Sequence, residues 1–293
     1  MIVLTGATGN IGSKLTTKLL DAGMPVRLYV HHAEKAAAFA ARGAEIVEGD
    51  IKDAASMAAA FAGADVVFTL IPGDWSSQDF GALQDTIGFA IIDAIRASGV
   101  KKVLNISSLG GHTDKGTGVV AGLARQETRL AALRGVDVLT LRPSYFMENL
   151  LGSIGMIKTM GINGSAIRDD VPMPIVATQD IADVAFAAIT NFTTQGYAVQ
   201  PLHGARDYTM NEITRILGTA IGKPDLPYVT FPAADAIAGF MQMGTSQSVA
   251  TLYIELMLAI NDGILGFDAR TPESTTPTTI EQFSQIFAAV YNA

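Results

Sequence analysis

The sequence predicts an α/β protein built on a doubly wound parallel sheet, followed by a smaller α/β C-terminal lobe. Three observations carry that expectation. Short apolar strands alternate with longer amphipathic segments as far as residue 143. The strands are mostly apolar, as in a parallel sheet covered on both faces. The chain opens Met1-Ile-Val-Leu-Thr-Gly-Ala-Thr-Gly-Asn-Ile-Gly12, which reads as strand, glycine turn and helix.

The elements follow in order. A strand over residues 2–4 leads into a helix over 11–22, closed by Gly23 with Pro25 beyond it. Residues 26–30 form a second strand, and an alanine-rich helix over 34–41 stops at Gly43. The third strand, 45–48, ends in Gly49-Asp50, and Asp53 caps a helix running to Phe61. The fourth strand, 64–71, ends at Pro72-Gly73. A long helix over 79–97 carries Phe80, Leu83, Ile87, Ile91, Ala94 and Ile95 on one stripe. A fifth strand over 103–107, a glycine-rich loop over 110–118, a helix over 119–133 and a sixth strand over 136–141 complete the alternation.

After Pro143 the pattern weakens. Residues 149–160 look helical, and 162–176 hold one or two short strands. A helix over 180–190 is capped by Thr178 or Gln179, and a short strand covers 197–199. Thr209 introduces a helix over 210–221. Residues 232–260 are helical with a break near 244–246, and a threonine- and proline-rich turn over 271–279 precedes a last helix, 280–291. The expected division is a dinucleotide-binding domain over 1–149 and a smaller substrate-binding lobe over 150–293, partly interleaved with the sheet.

Composition sets limits. A chain of 293 residues, 49% hydrophobic, can bury a large core. Its net charge of -8 argues against a nucleic-acid surface, which needs basic side chains to displace counterions. No cysteine is present, so disulfides, thiolate metal sites and a cysteine nucleophile are excluded, and any redox role goes through a bound cofactor. The apolar run 249–260 is too short to span a bilayer and contains Glu255. No secretory leader pattern opens the chain, so a cytoplasmic location is expected.

The glycine turn is a phosphate cradle. Gly6 allows a sharp turn, Gly9 lets a pyrophosphate approach the main chain, and Gly12 lets the helix pack close to the strand. The helix N-terminus offers free N–H groups and the positive end of its dipole. Three later pieces follow it: Asn105-Ile-Ser-Ser-Leu109, Leu141-Arg-Pro-Ser-Tyr-Phe-Met-Glu-Asn149 and Gln179-Asp-Ile-Ala-Asp183. With Thr5-Gly-Ala-Thr-Gly-Asn-Ile-Gly12 they resemble the NmrA-like branch of the atypical short-chain dehydrogenases/reductases, including its NADPH-dependent quinone reductases. The resemblance runs from Met1 to about Asn149 and more loosely beyond. It implies a Rossmann-type sheet. It implies that Gly6, Thr8, Gly9, Asn10 and Ile11 hold the pyrophosphate, that Asp50 reaches the adenine, and that Ile71 and Pro72 flank the adenosine. Ser107 would lie near the nicotinamide ribose, and Pro143, Ser144 and Tyr145 would border nicotinamide and substrate. Where the branch often has an arginine for the 2′-phosphate, this chain has His31, followed by His32.

One departure matters. Short-chain dehydrogenases usually carry Tyr-x-x-x-Lys on the helix after the fifth strand, where the lysine lowers the tyrosine pKa and the tyrosine passes a proton to the substrate. None of the seven tyrosines here has a lysine four residues later. By alignment the two positions fall near Val119 and Leu123, both apolar. Reduction of a simple ketone makes a strongly basic alkoxide that needs a positioned acid. A quinone gives a delocalised, weakly basic anion, for which hydride positioning can suffice. The expected activity is therefore hydride transfer from NADPH to a quinone-like or conjugated carbonyl acceptor. The alternative is a non-catalytic NADP(H)-sensing regulator with a protein partner. A sugar-nucleotide epimerase is disfavoured, because that chemistry needs the tyrosine.

The remaining candidates carry two readings each. His31 and His32 are a clamp for the adenosine 2′ side or exposed loop residues. With no acid at positions 29–33 to hold a ribose 2′-OH, they favour NADP(H) over NAD(H). A metal reading of the pair is disfavoured, because adjacent side chains diverge and no third ligand is near. Tyr145 is a pocket wall or a substitute proton donor, the first being preferred. Met147, Met156 and Met160 line an apolar substrate pocket or pack in the core. His112 is a loop residue or a mobile acid. Asp180 is read as a helix cap, His203 as structural, and Glu148 with Asn149 as a bridge between lobes. Ser107-Ser108 lacks a histidine–carboxylate partner at motif spacing, so a hydrolase reading is weak. A homodimer is a further expectation.

Overall fold

The computed structural model describes residues 1–267 and 269–293. Its elements are β1 (Ile2–Thr5), α1 (Asn10–Asp21), β2 (Val26–Val30), α2 (Ala37–Ala40), β3 (Glu45–Glu48), α3 (Ala54–Phe61), β4 (Val66–Leu70), α4 (Phe80–Ser98), β5 (Lys102–Ile106), α5 (Ala121–Ala131) and β6 (Asp137–Pro143). Then come β7 (Tyr145–Phe146), α6 (Ile154–Met160), β8 (Asn163–Ser165), β9 (Met173–Val176), α7 (Thr178–Thr190), β10 (Tyr197–Leu202), β11 (Asp207–Tyr208), α8 (Met210–Ala220), β12 (Tyr228–Thr230), α9 (Ala233–Gln242), α10 (Gln247–Asn261) and α11 (Ile280–Asn292). Short 3-10 turns precede α2, α5 and α6. Among the described residues no helix is long and apolar enough to cross a membrane.

Seven strands form one sheet in the order β3-β2-β1-β4-β5-β6-β10, with every pairing parallel. Strand alternation feeds two cores. Ile2 and Leu4 pack on one face with Leu15 and Leu19 of α1 and Ile181 and Ala185 of α7. Val3 packs on the other with Val67, Val103 and the stripe Ile87, Ile91 and Ile95 of α4. Two buried faces explain why these strands read as continuous apolar runs rather than alternating ones.

The second half of the chain is interleaved with this sheet. β10 closes it against β6, in register from Tyr197↔Val138 to Leu202↔Pro143, and α7 covers it beside α1. The remaining late elements build a third core around Ile213, Leu217, Ile254, Met257, Phe283 and Phe287. They include a three-stranded sheet, β11-β9-β7, and a two-stranded one, β12-β8. Strands of two or three residues such as β7, β11 and β12 leave no readable alternation in a sequence.

Two capping expectations are corrected. α7 starts at Thr178, and its first N–H donates to the Glu148 carboxylate at 3.1 Å, with the Thr178 hydroxyl donating to the same group. A carboxylate at a helix N-terminus complements the dipole. Asp180 is not a cap. It is buried and accepts from the N–H of Thr278 at 3.0 Å and its hydroxyl at 2.6 Å, tying α7 to the segment before α11. Ser246 caps α10 by accepting from the Val249 N–H at 3.2 Å, which fixes the break between α9 and α10.

Candidate active site

The strand order reverses between β1 and β4, and in open α/β sheets the crevice outside the strand ends at that point takes the ligand. The turn after β1 is shaped for it. Gly6 has φ +64°, a left-handed conformation that side chains resist. A Cβ on Gly12 would sit 2.2 Å from the Gly6 carbonyl oxygen, so only glycine fits there. Gly9 is the N-cap of α1 and has no side chain to occupy the first N–H groups. Those groups stay available to an anion.

A cavity of about 530 Å³ opens from this turn. Gly6, Thr8, Gly9, Asn10 and Ile11 line its first end, Ile71 and Pro72 its side after β4, and Ser107, Ser144 and Tyr145 the region after β5 and β6. Pro143, His31, His32 and Asp50 lie outside its walls. The histidines follow β2, both exposed, with ring centroids 4.3 Å apart, so adjacent side chains do not diverge here. Acids outside positions 29–33 also come close. Glu34 Oε1 lies 3.7 Å from His32 Nδ1, and Glu48 accepts from the Ala33 N–H at 3.0 Å. The Asp50 carboxyl is held below its usual range, chiefly by the Lys52 backbone N–H, with smaller contributions from the Lys52 and His31 charges.

The far end of the cavity is apolar. Val119, Leu123, Phe146, Met173, Leu256, Ile260, Leu265 and Phe267 face it, with Tyr145 and Tyr253. Among the described residues, no Asp, Glu, Lys, Arg or His lines the cavity. Val119 and Leu123, singled out in the sequence, both line this end of the cavity. Burial pushes the Tyr145 phenol well above 10.0, and its hydrogen-bonding neighbour Tyr253 is raised for the same reason. Both hydroxyls stay protonated through the neutral range.

The methionine expectation is corrected. Met147 is fully buried in the third core, Met156 is half-buried and not among the cavity-lining residues, and Met160 is 63% exposed at the end of α6. The 3-10 turn after β7 directs Met147 inward, and Met173 of β9 supplies the wall instead. Tyr253, Leu256 and Ile260 were not singled out in the sequence. Their i, i+3, i+7 spacing on α10 is the signal that could have found them.

Behind the cavity Ser107 enters a buried network. Its hydroxyl donates to Glu127 Oε1 at 2.5 Å. Arg142 donates to the same carboxylate from Nε at 2.9 Å and from Nη2 at 2.6 Å, and the Tyr197 hydroxyl at 2.9 Å. Burial raises Tyr197 to about 12. Because its proton goes to Glu127, Ser107 turns acceptor lone pairs towards the cavity. His112 lines a separate polar hollow with Glu127, Arg142 and Tyr197. His203 is buried at a bridge with Thr275 and does not touch the cavity.

A doubly wound sheet with a glycine cradle at its switch point defines a dinucleotide-binding α/β protein. More particularly, the chain belongs to the NmrA-like family, whose profile matches residues 1–257. It is 28% identical to an NAD(P)H azoreductase of Xenophilus azovorans across the whole of both chains. It is 25% identical to quinone oxidoreductase 2 of Escherichia coli over 98% of this chain and 99% of that one. Among solved structures, the Escherichia coli NADPH-dependent quinone oxidoreductase QOR2 complexed with NADPH superposes with a TM-score of 0.83 at 25% identity, covering 98% and 99% of the two chains. The seven-stranded sheet and its flanking helices are the Rossmann-type architecture of these reductases.

Proposed function

We propose that this NAD(P)H-dependent reductase passes a hydride from NADPH to a quinone-like or conjugated carbonyl acceptor, without a tyrosine–lysine proton relay. The observation that carries the reading is the uncharged far end of the cavity, with Val119 and Leu123 at the relay positions. A neutral, flat, weakly basic acceptor suits such walls. The full-length relatives named as an azoreductase and a quinone oxidoreductase support the class of acceptor.

The residues divide the work. The first turn of α1, with Gly6, Thr8, Gly9, Asn10 and Ile11, holds the pyrophosphate. His31 and His32 take the 2′-phosphate, Asp50 the adenine, and Ile71 and Pro72 the adenosine. Ser107 accepts a hydrogen bond from a ribose hydroxyl, and Pro143, Ser144 and Tyr145 border the nicotinamide. The lobe from residue 150 onward encloses the acceptor through Met173, Tyr253, Leu256 and Ile260. The bound nicotinamide supplies two electrons as hydride. Transfer of that hydride to the acceptor would leave NADP+ and the hydroquinone monoanion, which one proton from water converts to the hydroquinone. Orientation can supply about 7–11 kcal/mol of barrier lowering. A positioned acid contributes about 10²–10⁴-fold, and a delocalised anion needs little of it.

Pure protein mixed with NADPH and a panel of quinones tests the reading. Saturable, acceptor-dependent loss of nicotinamide absorbance is expected. Tight NADPH binding with no oxidation above background would leave a cofactor-sensing regulator as the function.

A further inference from the structure

We propose that Trp75, Phe240 and Tyr253 form an aromatic subsite at the mouth of the cavity, which selects acceptors with two or more fused rings. The inference rests on the reductase reading for its substrate class. Its geometry is independent of it.

Trp75 is the chain's one tryptophan and is 49% exposed, although its ring is held firmly. It lies parallel to Phe240 of α9, with centroids 6.3 Å apart and planes 2° from parallel. Tyr253 of α10 meets both edge-on, at 5.3 Å each. Tyr253 also lines the cavity, so one aromatic cluster runs from the cavity wall to the surface. These separations and tilts are those at which ring quadrupoles attract.

The loop that carries Trp75 is fixed on both sides. The Asp74 carboxylate accepts from the N–H of Ser76 at 2.9 Å and its hydroxyl at 2.7 Å, closing a turn around Trp75. The Trp75 carbonyl accepts from the Ser246 N–H at 2.9 Å. The Ser77 carbonyl accepts from the Ser246 hydroxyl at 2.5 Å, and the Phe80 N–H donates to the Ser248 hydroxyl at 3.1 Å. The strand-end loop after β4 is thereby fastened to the start of α10. A half-exposed indole on a fastened loop, joined through Tyr253 to a cavity that no charged side chain lines among the described residues, can stack a flat ring. On this proposal a single-ring acceptor stays within the cavity, whose lining does not include Trp75. A fused-ring acceptor extends outward and stacks on Trp75.

The test loads the full-length protein with NADP+, so no turnover occurs, and follows Trp75 fluorescence while 2-methyl-1,4-naphthoquinone or 1,4-benzoquinone is added. Saturable quenching by the naphthoquinone, with only collisional quenching by benzoquinone, is expected. In turnover, Trp75→Ala should lower kcat/KM for the naphthoquinone about three- to ten-fold and Trp75→Phe should recover most of it, with benzoquinone changed less than about two-fold. Linear quenching by both, or an equal loss on both acceptors, would overturn the subsite. If quenching saturates while no quinone oxidises NADPH, the subsite stands and the reductase reading fails. If quinones are reduced while quenching never saturates and Trp75→Ala is indifferent, only the subsite fails.

Discussion

The two ends of the cavity are built differently. The phosphate end comes from one continuous stretch, residues 6–12, and works through backbone: a left-handed glycine, a helix start and a contact that excludes any Cβ. The apolar end, proposed to take the acceptor, comes from side chains of β7, β9, α10 and the turn before α5, brought together by the fold. The first end asks for glycine at fixed spacing. The second asks only for apolar bulk at the right depth. Binding a dinucleotide is therefore specified strictly, and the choice of acceptor loosely.

Substitutions separate the two ends, beginning with the largest effect. Glu127→Ala removes one member of the buried pair with Arg142 and the anchor of Ser107, and should lower unfolding stability by about 3–5 kcal/mol in denaturant titration. A loss under about 1 kcal/mol would show that the network behind the acceptor end is not structural. Gly12→Ala forces a Cβ onto the Gly6 carbonyl and should cost about 1–3 kcal/mol. Thermal shift should also show the stabilisation by NADPH lost, and its full retention would contradict the cradle.

Smaller effects test the acceptor end and the adenosine side. Tyr145→Phe should lower quinone turnover only about two- to ten-fold, the scale of one hydrogen bond. A fall of about 10²–10⁴ would make Tyr145 the missing acid. His31→Asp should weaken NADPH relative to NADH by about three- to ten-fold in paired titrations. Equal losses for both cofactors would refute the clamp. The raised phenols at Tyr145 and Tyr253 also set a stability window. Folded, each binds its proton more tightly than when unfolded. Their contribution is therefore complete below pH 10.0, the ordinary tyrosine value, and is lost as pH rises above it. Melting temperature against pH checks the sign.

Legibility in the sequence follows the same division. The central strands β1 and β4 were readable because both sheet faces are buried there, which leaves unbroken runs such as Val66-Val-Phe68. β10 was visible as a short strand at 197–199, but nothing local says that it closes the sheet beside β6. The cradle was readable because backbone needs fix residue type. The acceptor wall was not, because a core methionine and a lining methionine look alike. Met147 was expected at the wall and Met173 forms it, a distinction made by the turn after β7. The local absence of acids around His31 was also incomplete evidence, since β3 brings Glu48 to the same edge.

The central claim is that hydride positioning, with no internal acid, drives the reaction. Single-turnover rates of NADPH oxidation by a naphthoquinone, measured from about pH 6 to pH 9, test it most directly. With NADPH saturating, the account predicts a flat profile, because both cavity phenols stay protonated throughout and no other titratable side chain among the described residues lines the cavity. A rate that falls about tenfold per pH unit above a neutral inflection would show a proton-donating group in the step and contradict it.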